Sequence, residues 1–153
     1  MKLVILAVGR SRASPERDLT QDFLERIAAG SELVEVESKL PSGPARRADE
    51  GARLLKHVPA AAPFIVCDPE PRDISSEQLA KLLETLRDEG AQAAYFAVGG
   101  ADGHSDAVMA RAHRRIAFGA ATWPHMLFRA MLAEQLYRAT TILAGHPYHR
   151  GNS

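Results

Sequence analysis

Apolar residues come in short blocks separated by amphipathic stretches, and the two kinds alternate along the chain. Residues 2–8, Lys-Leu-Val-Ile-Leu-Ala-Val, are apolar, partly β-branched and closed by Gly9, which predicts a first strand. After a loop over 10–15, Leu19, Phe23, Leu24 and Ile27 recur at helical spacing and Gly30 stops the pattern, so a helix is expected over 16–29. Leu33, Val34 and Val36 mark a second strand. A loop with two prolines and a glycine over 39–44 leads to an expected helix over 45–58, with Ala48, Leu54, Leu55 and Val58 facing inward. Residues 64–67, Phe-Ile-Val-Cys, are continuously apolar, as suits a central strand covered on both faces.

A loop with two prolines over 68–73 follows. Ser75 with Gln78 is a capping box opening a helix to Glu89, whose apolar stripe is Leu79, Leu82, Leu83 and Leu86. A strand over 94–98, a helix over 106–113, a short strand over 115–118 and a long helix over 124–143 complete the pattern. Regular strand–helix alternation predicts an α/β fold with a mostly parallel sheet flanked by helices. No repeat or long linker divides residues 1–153, so a single domain is expected, and 153 residues suffice for a real core.

No apolar run reaches the ~18 residues a membrane span needs. The apolar start lacks a basic region and a small-residue cleavage site, so it reads as a strand rather than a signal peptide. One cysteine, Cys67, excludes an intrachain disulfide and a multi-cysteine metal site. A reducing, cytoplasmic setting without membrane association is the expectation.

Net charge is zero but unevenly divided. Residues 1–103 hold 13 Lys/Arg against 17 Asp/Glu; residues 104–153 hold six Arg against Asp106 and Glu134, and five of the six histidines. The asymmetry points to an anion-binding or nucleic-acid face on the C-terminal part. The competing reading, scattered solvated arginines, fits the modest size of the excess.

Four stretches could carry chemistry. Gly99-Gly100-Ala101-Asp102-Gly103 follows a strand, where glycines let backbone approach a ligand closely. It has neither dinucleotide-fingerprint nor P-loop spacing, and a tight strand-to-helix turn explains it equally well. Gly119-Ala120-Ala121-Thr122-Trp123-Pro124 follows another strand; its small residues expose main-chain groups able to read a base edge, although a plain connecting loop would look the same. The final helix is apolar over most of its circumference, more than one sheet face can bury, which implies a second partner surface and a homodimer. On it, Glu134 and Arg138 have the spacing of an ion pair, and Arg129 could face a phosphate or a carboxylate. Last comes Gly145-His146-Pro147-Tyr148-His149-Arg150, whose aromatic, imidazole and guanidinium groups suit base stacking, proton transfer and phosphate binding. A His-x-x-His pair without a third ligand makes no metal site. His104, His113 and His125 read as surface or helix-end residues, and Cys67 as a buried small residue rather than a nucleophile.

The start Met-Lys-Leu-Val-Ile-Leu-Ala-Val-Gly, the turn Val-Gly-Gly-Ala-Asp-Gly, the helical Ala-Glu-Gln-Leu-Tyr-Arg-Ala and the ending His-Pro-Tyr-His-Arg together resemble the bacterial large-subunit rRNA pseudouridine N3-methyltransferases, a family of the SPOUT class. The resemblance covers the whole chain and is strongest over 95–150. It implies a SPOUT-type α/β fold whose C-terminal segment threads a trefoil knot, and a homodimer. It also implies S-adenosylmethionine held by three loops: Cys67 through its backbone, Gly100 in the glycine turn, and Gly119, Ala120, Ala121, Thr122, Trp123 and Pro124. The family turn usually reads Gly-Gly-Pro-Glu-Gly; here Ala101 and Asp102 replace Pro and Glu. The implied substrate is a pseudouridine in the helix 69 loop of 23S rRNA within the assembled ribosome. Tyr148 and His149 would position the base and assist loss of its N3 proton. Arg150 and Arg129 would hold phosphate, and Glu134 is a further candidate proton acceptor. Two rival readings are a non-catalytic ribosome-associated factor with a vestigial cofactor pocket, resting on Ala101 and Asp102, and a flavodoxin-like nucleotide- or phosphate-binding module.

Overall fold

The computed structural model describes residues 1–68, 70 and 73–151. Pro69, Pro71 and Arg72 of the expected proline loop, and the last two residues of the expected domain, lie outside them. Five parallel strands form one sheet in the order β2-β1-β4-β3-β5: β1 is Lys2–Val8, β2 Ser31–Val36, β3 Phe64–Cys67, β4 Ala93–Val98 and β5 Arg114–Ile116. The connecting helices are α1 (Pro15–Glu25), α2 (Pro44–Leu55), α3 (Ser76–Asp88), α4 (Asp106–Arg111) and α5 (His125–Leu143), and a short α6 (Tyr148–Gly151) closes the described chain.

Alternation along β1 divides the core in two, because successive side chains leave a strand on opposite faces. Leu3, Ile5 and Ala7 pack with Leu24 of α1, Leu79 and Leu83 of α3 and Leu132 and Leu136 of α5. Val4, Leu6 and Val8 pack with Leu54 of α2 and Val108 of α4. The sheet is therefore covered on both faces, and all four residues of β3 are buried, as its unbroken apolar run required.

Local chemistry sets the element ends. The Ser75 hydroxyl accepts from the Gln78 amide while Gln78 Oε1 accepts from the Ser75 amide, closing the expected capping box on α3. The α1 pattern runs past its helix: Arg26 caps it, and Ile27 is buried from the turn beyond. On α2, Leu54 is buried and Leu55, with Val58 just beyond the helix, packs against the core as expected, but Ala48 is exposed, and Glu50 and Gly51 turn inward as well. A Cβ on Gly51 would lie 2.1 Å from the Ser105 hydroxyl, so α2 crosses the start of α4 too closely for any side chain there. The last strand ends at Ile116, two residues before the expected limit; Ala117 continues only as a single bridge to Asp73. The long apolar α5 owes its composition first to its neighbours, since it is flanked by α1 and α3 as well as the sheet. Leu127 on it and Leu19 on α1 remain exposed.

Candidate active site

Because the strands are parallel, all five carboxyl ends share one edge of the sheet, where open α/β folds take their ligands. A cavity of about 360 Å³ opens there beyond β3, β4 and β5, within the roughly 300–1,000 Å³ usual for small-molecule sites. Its wall brings together three segments remote in sequence: Cys67, the glycine turn with Gly100, and Gly119, Ala121, Thr122 and Trp123. Six of the eight residues singled out for the cofactor thus gather around one space. Ala120 and Pro124 belong to the same loop but not to the wall.

Each segment is fixed by specific bonds. A Cβ on Gly100 would lie 2.8 Å from Val8 Cγ1 and 3.2 Å from Glu50 Oε2, so the turn is pressed against the end of β1 and against α2. Asp102 anchors it from outside, accepting from Arg46 Nε at 2.6 Å and from the Ser42 hydroxyl at 2.8 Å. The Arg46 guanidinium and that hydroxyl hold its carboxyl below the usual range. Aspartate at this position therefore clamps the glycine turn to the β2–α2 connection. Gly119 has φ +86, a conformation side chains resist, and its amide donates to Asp73 Oδ1 at 3.0 Å. Trp123, 38% exposed, donates from Nε1 to the Phe118 carbonyl at 3.0 Å and so folds its loop over the cavity mouth.

His104 is a wall residue that sequence reasoning missed. It is not a surface histidine: Nε2 lies 3.0 Å from the Cys67 carbonyl oxygen, and its ring packs beside Gly99. Burial pushes its pKa down, so the ring is neutral, with the Nε2 proton donated to that carbonyl. Its place just beyond the glycine turn was the one available signal. His125 also contributes to the wall, whereas His113 is exposed and away from it. Burial pushes the Cys67 thiol up, which excludes a thiolate nucleophile.

The C-terminal candidates collect elsewhere. Glu134 Oε1 accepts from Arg138 Nε (2.9 Å) and Nη2 (2.6 Å) and from the Tyr148 hydroxyl (3.1 Å), while its Oε2 accepts from Gln135. Arg138 Nη1 donates to His149 Nδ1 at 3.2 Å, which leaves Nε2–H to donate to Glu77 Oε1 at 2.9 Å. The tail is thereby docked on α3 and α5. Burial and the neighbouring Glu134 carboxylate raise the Tyr148 pKa, so its phenol stays protonated and acts as a donor. Arg150 is exposed. Glu134 and Glu77 line a second cavity of about 670 Å³, which meets the first at Phe118 and Gly119. Tyr148 and His149 do not reach the first cavity within their own chain.

Arg129 does not face solvent. It is 1% exposed, paired with Glu35, and donates through Nη2 to the Val8 and Gly9 carbonyls at 2.9 and 2.7 Å. The guanidinium ties α5 to the end of β1; its Nε has no partner among the described residues but is buried away from a solvent phosphate. Among the described residues, no three His, Cys, Asp or Glu side chains come together as a metal site.

The sequence model of a family described as predicted SPOUT methyltransferase matches residues 1–149. The chain belongs to the SPOUT methyltransferase family. Relatives extend over nearly its full length. A Paramagnetospirillum magneticum protein named ribosomal RNA large subunit methyltransferase H is 49% identical over 151 residues, 98% of this chain and 99% of that one. Proteins of the same name from Rhodospirillum rubrum, at 48% over 151 residues, and Xanthobacter autotrophicus, at 46% over 159, cover the same shares. For a SPOUT chain the cavity at β3, β4 and β5 has suitable walls for a nucleoside-type methyl donor. Val98, Phe118, Phe128 and Trp123 offer apolar faces, and small residues at 99, 100, 119 and 121 leave main chain accessible. No helix among the described residues is long and apolar enough to cross a membrane.

Proposed function

We propose that this SPOUT methyltransferase modifies large-subunit rRNA, transferring a methyl group from S-adenosylmethionine to N3 of a pseudouridine in the helix 69 loop of 23S rRNA in the assembled ribosome. The observation that carries the reading is the convergence of Cys67, Gly100, Gly119, Ala121, Thr122 and Trp123 on one cavity at the carboxyl edge of the sheet. The names of the relatives support rRNA as the substrate. We take residues 1–153 as one methyltransferase domain, its C-terminal part knotted, working in the cytoplasm.

The sulfonium donor supplies an already activated methyl, so the chain's task is chiefly alignment. Main-chain groups at Cys67, Gly100 and 119–122 hold the nucleoside, and Trp123 and Phe118 exclude water. The base must lose its N3 proton, and His149 is the group suited to accept it. Its Nδ1 lone pair, occupied by Arg138 in the docked tail, becomes available when the tail shifts. Tyr148, held protonated, donates to the base rather than taking the proton. Arg150 meets phosphate, and Glu134 orients Tyr148 and Arg138. Since Tyr148 and His149 lie outside their own chain's cofactor cavity, a homodimer that brings them to the partner's cavity fits this chemistry. The apolar Leu19 and Leu127 are exposed beside the second cavity and suit such an interface.

The reading as a non-catalytic factor rested on Ala101 and Asp102. Asp102 stabilises the turn through Arg46 and Ser42, and the cavity is open, so neither substitution favours it. The test is incubation with radiolabelled S-adenosylmethionine and ribosomes from cells lacking the modification. Label mapping to one helix 69 pseudouridine is the expected result; intact cofactor binding without label in the rRNA would overturn the substrate.

A further inference from the structure

Four of the six arginines in the C-terminal third are engaged within the fold. Arg111 Nη2 donates to the carbonyls of Pro59, Ala60 and Ala62, Arg115 lies 3.7 Å from Asp68, and Arg129 and Arg138 are bound as described. An arginine already satisfied by the protein gains little from a phosphate. The anion-binding face expected there from the charge asymmetry is left chiefly to the exposed Arg114 and Arg150.

Further cations collect at the other end of the same sheet edge, two of them lysines outside any ion pair among the described residues. A cavity of about 390 Å³ at the carboxyl end of β2 is lined by Arg10, Lys39, Arg53, Lys56 and His57. Its two carboxylates are neutralised: Glu35 by Arg129 and the Ser11 amide, Glu37 by Arg10 at 3.1 Å. Arg53 is held by Asp49. Lys39 and Lys56 are exposed and make no ion pair or hydrogen bond among the described residues. Val36 is the one apolar side chain in the wall, and His57 is its one ring. A surface made mostly of cations suits phosphate more than base recognition, which needs several stacking faces and base-edge partners.

Its position relates it to the cofactor cavity. Strands lie about 4.8 Å apart, so the carboxyl ends of β4 and β3 are roughly 10–15 Å from that of β2. The connection that begins at Lys39 also carries Ser42 and leads to Arg46, both bonded to Asp102 of the glycine turn. We propose that this groove is a backbone track for RNA, with Lys39 and Lys56 contacting phosphates that flank the nucleotide presented to the cofactor cavity. The proposal rests on the rRNA methyltransferase reading.

The experiment is co-sedimentation with 70S ribosomes across a salt series, with S-adenosylmethionine affinity measured in parallel. Both lysines are exposed, so the double variant Lys39→Ala/Lys56→Ala is expected to fold. Its ribosome affinity should fall, and the slope of log affinity against log salt should flatten by about 2, one per lost phosphate contact, with cofactor affinity unchanged. Lys2→Ala, on the opposite edge of the sheet, should match the parent protein. A double variant with parental affinity and slope would overturn the track while leaving the rRNA reading intact. A parent protein that binds no ribosomes at any salt would overturn both.

Discussion

His104 Nε2 lies 3.0 Å from the Cys67 carbonyl oxygen and bridges the end of β3 to the glycine turn after β4. The bond joins two of the three segments that wall the cavity, with Nε2–H as donor. Burial outweighs this bond and depresses the folded pKa below 6.5, so stability is full above pH 6.5 and is lost as pH falls through 6.5 toward the lower folded value. We expect thermal stability to drop on acidification from pH 7.5 to about 5, and His104→Gln to flatten that dependence. Parallel melting curves for the two proteins would sink the assignment.

Gly100 is confined from behind by Val8 and Glu50, not from the cavity side. Gly100→Val should push the turn into the cavity, raise the dissociation constant for S-adenosylmethionine by tenfold or more, and cost about 1–3 kcal/mol of stability through overpacking. Calorimetric titration with the cofactor checks this; unchanged affinity would refute the turn's place in the site.

Glu50 is 6% exposed, and its Oε1 has no hydrogen-bond partner. Burial raises its pKa above the ordinary 4.5, opposed by Arg46 and reinforced by Asp102 and Asp49. Folded protein therefore resists ionising this acid, and stability is lost as pH rises from 4.5 through the folded pKa. Glu50→Gln removes the ionisation but keeps the shape. The variant should gain stability relative to the parent between pH 4.5 and 7.5. A difference in melting temperature that stays constant with pH would rule this out.

The alternating pattern made the sheet, the helices and the buried β3 legible, because strand and helix periodicities differ. Pairwise facts were not legible. Ala48 sits in the α2 pattern where a small apolar residue could face either way, and the close crossing at Gly51 turned Glu50 inward instead. The three loops that wall the cavity were singled out through their motifs, but His104 was passed over because burial of a polar ring depends on which carbonyl comes within reach. Charge counting has the same limit. Arg111 and Arg129 add to the sum of the C-terminal third, yet their guanidinium groups are spent on carbonyls that only the fold brings near.

The docked tail stands apart from the cavity at the carboxyl edge of the sheet. Tyr148 and His149 bond to Glu134, Arg138 and Glu77 and do not line the cofactor cavity of their own chain. If His149 takes the N3 proton, His149→Ala should leave S-adenosylmethionine affinity near the parental value and slow methyl transfer by about 10²–10⁴-fold, the usual worth of a general base. Tyr148→Phe, which loses only a donor to the base, should cost less. Single-turnover methylation of unmodified ribosomes reads both effects. Equal loss of cofactor affinity and turnover in His149→Ala would show that the tail serves to hold the fold and not to move the proton.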